Sequence, residues 1–417
     1  MTNPIANPGQ FAAEQEVRDM WAQPETRAAR LHVAQLWRIG HGTDVPPGLD
    51  ARFDAAMDGW VSNYLLKAAA ADPVRPRFVR NFMPSYVWEG AGSGEAVPDA
   101  RMGGDNPDNC YRLAGIAHRG RYRITGRVLD VCPAHVSFTL VENWGTSVTA
   151  QTVELPGIAV DPDGRFTITI DAMPADGRPN HLTTNARVKF LFVRDSMMDW
   201  ARETPLELEI ERLDGGGTVR SAEERLADAL RRVREDVPLY FWFFRLSAGH
   251  AINSMAQPVR TASVGGLVTQ ASSLGRLHLE DDQAAVIRFA RAGATYNSLQ
   301  FATWWYHSAD AHLLQSGLTA TQALPDADGA ITAVISPRDP GVANWVQTGG
   351  YRDLLPMIRW QGLPASGDGE QPWHSLDIVP VDRLETVLLS DTPRLDTPGR
   401  RLQLEARRAA WRRRITG

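Results

Sequence analysis

The sequence predicts a mainly β protein: two tandem jelly-roll-like β-sandwich units from an internal duplication, with an N-terminal helical region, a helical connector and a C-terminal helix. The first observation behind this is a pattern written twice. Val136–Trp144 (VSFTLVENW) returns as Asn297–Trp305 (NSLQFATWW), with Ser137 aligned to Ser298 and Trp144 to Trp305. Asp161–Asp171 (DPDGRFTITID) returns as Asp326–Ser336 (DADGAITAVIS), and Asn180-His181 is echoed by Asn344-Trp345. Three landmarks in one order argue for a duplicated unit. The second observation is a series of short alternating apolar runs bounded by Gly, Pro and Asp, which read as strands. The third is helical periodicity confined to the start, the middle and the end of the chain.

Residues 1–100 are expected to be a helical region followed by a loop. Leu49, Phe53, Met57, Trp60, Tyr64 and Leu65 fall on one helical stripe, and Glu25–Ile39 repeats the style after Pro24. Pro73 and Pro76 close the region, and the Gly/Pro-rich stretch Gly90–Gly104 leads into the first sandwich, residues 101–215. There Tyr122–Gly126, Val136–Val141, Phe166–Ile170, Val188–Val193 and Leu206–Ile210 read as strands, and Asp161-Pro-Asp-Gly as a hairpin turn. The connector, 216–262, follows Gly215-Gly-Gly. Ser221-Ala-Glu-Glu is a capping box opening a helix with Leu226, Leu230 and Val233 on one face, and Pro238 is placed as the first residue of a second helix. The second sandwich spans 263–380. The tail, 381–417, holds a helix starting at Thr397-Pro398; its seven Arg against Glu405 read as a solvated face.

Composition narrows function. A net charge of −5 and pI near 6.1 provide no global attraction to nucleic acid or anionic membrane. Only Cys110 and Cys132 occur, so no disulfide framework or cysteine-based metal cluster is expected. The start lacks a basic segment followed by an apolar one, and the longest apolar run, Leu239–Phe244, is too short to cross a bilayer. A cytoplasmic protein is expected, acting on a small molecule, with self-association compatible with the chain.

Two loops carry the candidate chemistry. In Gly103–Tyr111, Asp105 and Asp108 are candidate proton carriers and Tyr111 a candidate wall, although Asx turns alone account for so polar a loop. In Arg338–Trp345, Arg338 and Asp339 are candidate catalytic groups, with a turn-stabilising ion pair as the plain alternative. Asn344, Trp345, Tyr351, Arg359 and Trp360 join them as candidate substrate contacts, because flat apolar faces beside fixed donors suit a small-molecule pocket. Trp304, Trp305 and Tyr306 extend that wall, and His307 is a candidate acid or base. On a strand Trp305 and His307 share a face, while His307 and His312 do not converge, so no metal is expected. Nucleotide-binding and Ser-nucleophile motifs are missing, and no cofactor is expected.

Gly104–Tyr111 (GDNPDNCY), Tyr122–Arg127 (YRITGR) and Arg338–Trp345 (RDPGVANW) resemble the shared text of an uncharacterised bacterial jelly-roll family, a domain of unknown function. The resemblance covers most of Asp72–Gly417 and includes Ala186–Leu213 as a strand pair. It implies jelly-roll sandwiches, in shape like peptide-glycan amidases and capsid proteins, and no shared activity. The family tends to carry Asn and Glu where this chain has Thr303 and His307. The leading expectation is a cofactor-independent lyase, isomerase or hydrolase acting on a partly apolar or aromatic metabolite in an aromatic-lined cleft. The alternatives are a non-catalytic carbohydrate- or small-ligand-binding protein and a structural or assembly protein. Any site is expected in the second unit, closed over by the Asp105–Tyr111 loop of the first.

Overall fold

Each copy of the repeat folds into two sheets with the same strand order. In the first copy the strands are β2 (Asn109–Gly115), β3 (Tyr122–Arg127), β4 (His135–Val141), β5 (Thr149–Glu154), β6 (Arg165–Asp171), β7 (His181–Thr183), β8 (Phe190–Ser196) and β9 (Glu207–Arg212). In the second they are β12 (Ala271–His278), β13 (Gln283–Phe289), β14 (Tyr296–Ala302), β15 (Gly317–Thr319), β16 (Ile331–Ser336), β17 (Trp345–Gln347), β18 (Asp353–Gln361) and β19 (His374–Pro380). The first sandwich pairs β2-β8-β4-β5 over β7-β6-β3-β9, and the second pairs β12-β18-β14-β15 over β17-β16-β13-β19. Short strands β1 (Val79–Asn81), β10 (Ser254–Met255) and β11 (Val259–Arg260) extend the β2 and β12 edges. The structure is a computed structural model that describes residues 3–42, 52–260, 269–364 and 369–417.

The landmarks of the repeat occupy equivalent places. Ser137 lies opposite Arg194, and Ser298 lies opposite Arg359. The turns before β6 and β16 close alike: Gly164 and Gly329 adopt φ of 76° and 86°, a region an L side chain avoids, and each donates its N–H to the carbonyl of Asp161 or Asp326. Asn180 and Asn344 perform one task twice. Asn180 Oδ1 accepts from Ala159 N at 2.8 Å and its Nδ2 donates to the Ala159 carbonyl at 2.9 Å. Asn344 does the same with Leu324, at 2.8 and 2.7 Å. A side-chain amide thus replaces a missing strand partner and fixes the entry to the parallel pairs β6–β7 and β16–β17.

Helices α1 (Pro8–Trp21), α2 (Pro24–His41), α3 (Phe53–Ala70) and α4 (Ala222–Ala248) form one layer over both sandwiches, and α5 (Thr397–Arg412) closes the chain. Helix α3 is buried on nearly every face, which explains its apolar residues all round. The equivalent tryptophans of the repeat grip it at two points. Trp144 stacks on Tyr64 at 6.3 Å and Trp305 meets Phe53 edge-on at 4.9 Å, roughly 16 Å apart along the axis. Leu49, placed on the same stripe by sequence, lies outside the described residues.

Three sequence expectations need correction. Pro238 does not open a second helix; α4 runs unbroken from Ala222, because Pro238 sits on the solvent face, where the carbonyl left without a donor can meet water. Trp304–His307 is not strand: β14 ends at Ala302, and Thr303 N–H bonds the His307 carbonyl across a tight turn with Tyr306 at φ 58°. Alternation therefore does not govern which way these rings point. The C-terminal helix is not simply solvated. Arg400 is buried and Arg407, seven residues on along the same face, stacks on Trp200 at 4.3 Å, while Arg414, in the turn just past the helix end, is buried as well.

Candidate functional site

The sheets β2-β8-β4-β5 and β12-β18-β14-β15 each cover their own sandwich core with one face and turn the other towards the opposite copy. Glu154 and Thr319 hold the same register position, opposite Ser137 and Ser298. Glu154 accepts from Thr269 Oγ1 at 2.7 Å, and Thr319 Oγ1 donates to the Met198 carbonyl at 2.6 Å. The two sandwiches thus meet about an approximate two-fold axis, and a cleft of about 300 Å³ opens between them.

Its opposing walls come from equivalent strands. Tyr111, Phe192 and Arg194 stand on β2 and β8; Ser272, Met357 and Arg359 stand at the matching places on β12 and β18. Tyr240, Phe243 and Leu246 of α4 and the Met102–Asn106 loop complete it. Gly103 is required in that loop, since a Cβ there would lie 2.8 Å from the Tyr240 ring and 2.9 Å from the Tyr306 ring.

Two arginines dominate the electrostatics. Arg194 donates to Thr139 Oγ1 at 3.1 Å and lies 4.2 Å over the Phe192 ring. Burial pulls it down to about 10, against a smaller opposing pull from Tyr111. Arg359 donates to the Gly104 carbonyl at 2.6 Å, while its Nη1 is shielded from solvent and makes no hydrogen bond. Among the described residues neither forms an ion pair within 4 Å. Asp105 and Asp108 act on Arg359 only from beyond ion-pair distance, and two partly dehydrated cations in one cleft are costly unless an anion compensates them.

Of the residues nominated from sequence, Asp105, Tyr111, Tyr306 and Arg359 line this cleft. Asp105 is the one acid among its described lining residues. Its carboxylate accepts from Ser308 N and Oγ at 2.7 and 2.6 Å, and burial raises its pKa, opposed chiefly by Arg101. The Asp105–Tyr111 loop does lie on the second sandwich. Asn106 Nδ2 donates to Tyr296 Oη, Gln300 Nε2 to the Asp105 carbonyl, and Asp108 accepts from Tyr296 Oη at 2.6 Å and Trp200 Nε1 at 3.0 Å. Asp108 is raised by burial and belongs to this interface, behind the cleft wall.

The rest are elsewhere. His307 is buried beside Trp60 at 5.4 Å, and burial drives its pKa well below the ordinary range, so it stays neutral. Trp304 and Trp305 pack on Phe244, His41 and Phe53 under the helical layer. Trp360 is fully buried with Nε1 on the Ala290 carbonyl, and Tyr351 carries the Arg52 guanidinium at 4.2 Å. Arg338 is exposed, and Asp339 pairs with Arg400 at 2.9 Å. Trp345 Nε1 bonds the Ser336 carbonyl, and Asn344 is the clamp described above. The Arg338–Trp345 loop therefore anchors α5 and does not share the cleft. Sequence reasoning missed Arg194. Its signal was available, since Val193-Arg194 and Ile358-Arg359 stand at the spacing of the other repeat landmarks.

No helix among the described residues is long and apolar enough to cross a membrane. No family model matches the chain, and no curated protein matches it. The chain is similar to the crystal structure of a putative uncharacterized protein from Burkholderia cenocepacia, with 24% identity and a TM-score of 0.69 over 89% of this chain and 99% of that one. The VPA0106 protein from Vibrio parahaemolyticus matches at 12% identity and a TM-score of 0.41 over 66% of this chain and 90% of that one. The first likeness shows a shared two-sandwich fold along nearly the whole chain, and the fold alone.

Proposed function

We propose that the protein binds a small organic anion with an apolar or aromatic body in the cleft between the sandwiches. The observation that carries this reading is the pair Arg194 and Arg359, which the repeat sets at equivalent positions and which have no carboxylate within ion-pair distance among the described residues. Phe82, Phe192, Phe243, Tyr306 and Met357 supply apolar contact around them. A carboxylate or phosphate entering there gains charge-assisted hydrogen bonds in a partly dehydrated setting. Acid–base turnover is less well supported, because Asp105 is committed to Ser308 and neither Asp108 nor His307 lines the cleft.

Calorimetric titration with aliphatic and aromatic carboxylates, each beside its neutral amide, tests the idea. Charged hydrogen bonds are worth about 1.5–3 kcal/mol, so Arg194→Gln and Arg359→Gln should each weaken the best carboxylate by about 10- to 100-fold. Amides that bind as tightly as the acids, or two variants that bind like wild type, would sink it. Product appearing when the bound acid is followed by mass spectrometry would restore the enzymatic alternative.

A further inference from the structure

We infer that the protein has a second binding site, for a monoanionic carboxylate on an apolar chain, in the cavity between β2 and the two chain ends. This cavity of about 400 Å³ is lined on its apolar side by Pro4, Ile5, Met83, Met197, Trp200 and Pro205. On its polar side stand Arg80, Asn109, Glu203, Thr204, Arg413 and Arg414.

Unmet hydrogen bonds gather on this lining. Asn109 Oδ1, Thr204 Oγ1, Arg80 Nε and Arg414 Nε are all shielded from solvent without a partner. Arg414 is 9% exposed and gives its two Nη groups to the carbonyls of Pro107 and Asp108. It lies 4.5 Å over the Trp200 ring and pairs with no carboxylate among the described residues. Burial draws it down to about 10.

Arg80 differs instructively. It stacks on Tyr86 and Trp88 at 4.6 and 4.9 Å, and both rings donate hydrogen bonds to Glu14 behind them. Its charge is balanced across the rings by Glu14, whereas Arg414 feels the buried Asp108 carboxylate only from beyond ion-pair distance. Glu203, the acid of the lining, is occupied by the N–H groups of Ala134 and Met198. The cavity therefore offers a cation, Arg414, with no carboxylate within ion-pair distance among the described residues, with Arg413 beside it, at the end of an apolar slot. That is the complement of a carboxylate head with a hydrocarbon tail. An inorganic anion would leave the apolar wall without a contact.

Because Asn109 lines both cavities, the test is run in the Arg194→Gln/Arg359→Gln background, where the cleft contributes little. Octanoate and 1-octanol are titrated by calorimetry. The expected result is octanoate binding, with the alcohol about tenfold weaker or more. Arg414→Met should abolish the preference for the acid, but it also strips two carbonyls of their donor and can weaken the fold. Ala201→Trp serves as the second variant. Ala201 is exposed at the cavity lining, so a tryptophan there should block the slot, leave the fold intact and weaken octanoate by about tenfold. Failure of octanoate to bind at millimolar concentration overturns the inference. So does equal affinity for the alcohol, or an Ala201→Trp variant that binds as before.

Discussion

Asn344 was nominated as a substrate contact, and its geometry makes it a structural clamp. The side chain makes three hydrogen bonds: from Leu324 N at 2.8 Å, to the Leu324 carbonyl at 2.7 Å and to the Thr332 carbonyl at 2.9 Å. It is 2% exposed, so water cannot readily replace them. At about 1 kcal/mol net per bond, Asn344→Ala should cost about 3 kcal/mol. Its counterpart Asn180 is half-buried, makes two such bonds and sits at φ 50°, so Asn180→Gly, which tolerates that backbone, should cost about 1 kcal/mol. Urea denaturation followed by tryptophan fluorescence compares the two, with Trp345 adjacent to the affected clamp. The clamp reasoning predicts a clear drop in midpoint for Asn344→Ala and anion binding in the cleft like that of wild type. An unchanged midpoint with lost binding would refute it and return Asn344 to a site.

Two further outcomes follow from the same geometry. Arg338→Ala should change stability by no more than about 0.5 kcal/mol because the side chain is exposed, whereas Arg400→Met should cost about 2–3 kcal/mol. Arg400 holds Asp339 and the carbonyls of Val342 and Ala343, and equal denaturation midpoints for the two variants would contradict this. Lys67 is fully buried, with its Nζ 3.0 Å from Met102 Sδ, and burial lowers its pKa from 10.5 to about 7. Between those values the unfolded chain binds the proton and the folded one does not, so this group makes stability rise with pH from about 7 to 10.5. Below about pH 7 both states are protonated, and its full cost of about 5 kcal/mol is present. Lys67→Met should therefore raise the urea midpoint at pH 7 and lessen the gain seen at pH 9.5; parallel pH profiles for the two proteins would rule this out.

Much of the fold was legible, and for a physical reason. A strand and its turn are local devices: alternation at Tyr122–Arg127 and the Asp-x-Asp-Gly turns before β6 and β16 need only neighbouring residues to act. The capping box at Ser221 and Glu224 is local in the same sense, and both of its bonds form. What misled was residue density. The Trp304–His307 cluster looked like a pocket wall, but large rings are as useful beneath a helical layer as around a ligand. The Arg338–Trp345 loop looked like a site because Arg, Asp, Asn and Trp serve helix anchoring with the same chemistry that serves binding.

By itself the sequence determined that one β unit was used twice, where its turns fall and that helical segments lie before, between and after the two copies, since turns, strands and helices depend largely on interactions close along the chain. It also indicated that the Asp105–Tyr111 loop belongs with the second unit. Only the tertiary structure decided that the two copies face one another, so that Arg194 and Arg359, 165 residues apart, share a cleft. Nothing local distinguishes an arginine whose partner is a carboxylate across the fold, as at Arg400, from one that has none. That difference lies in which groups long-range packing brings within a few ångströms.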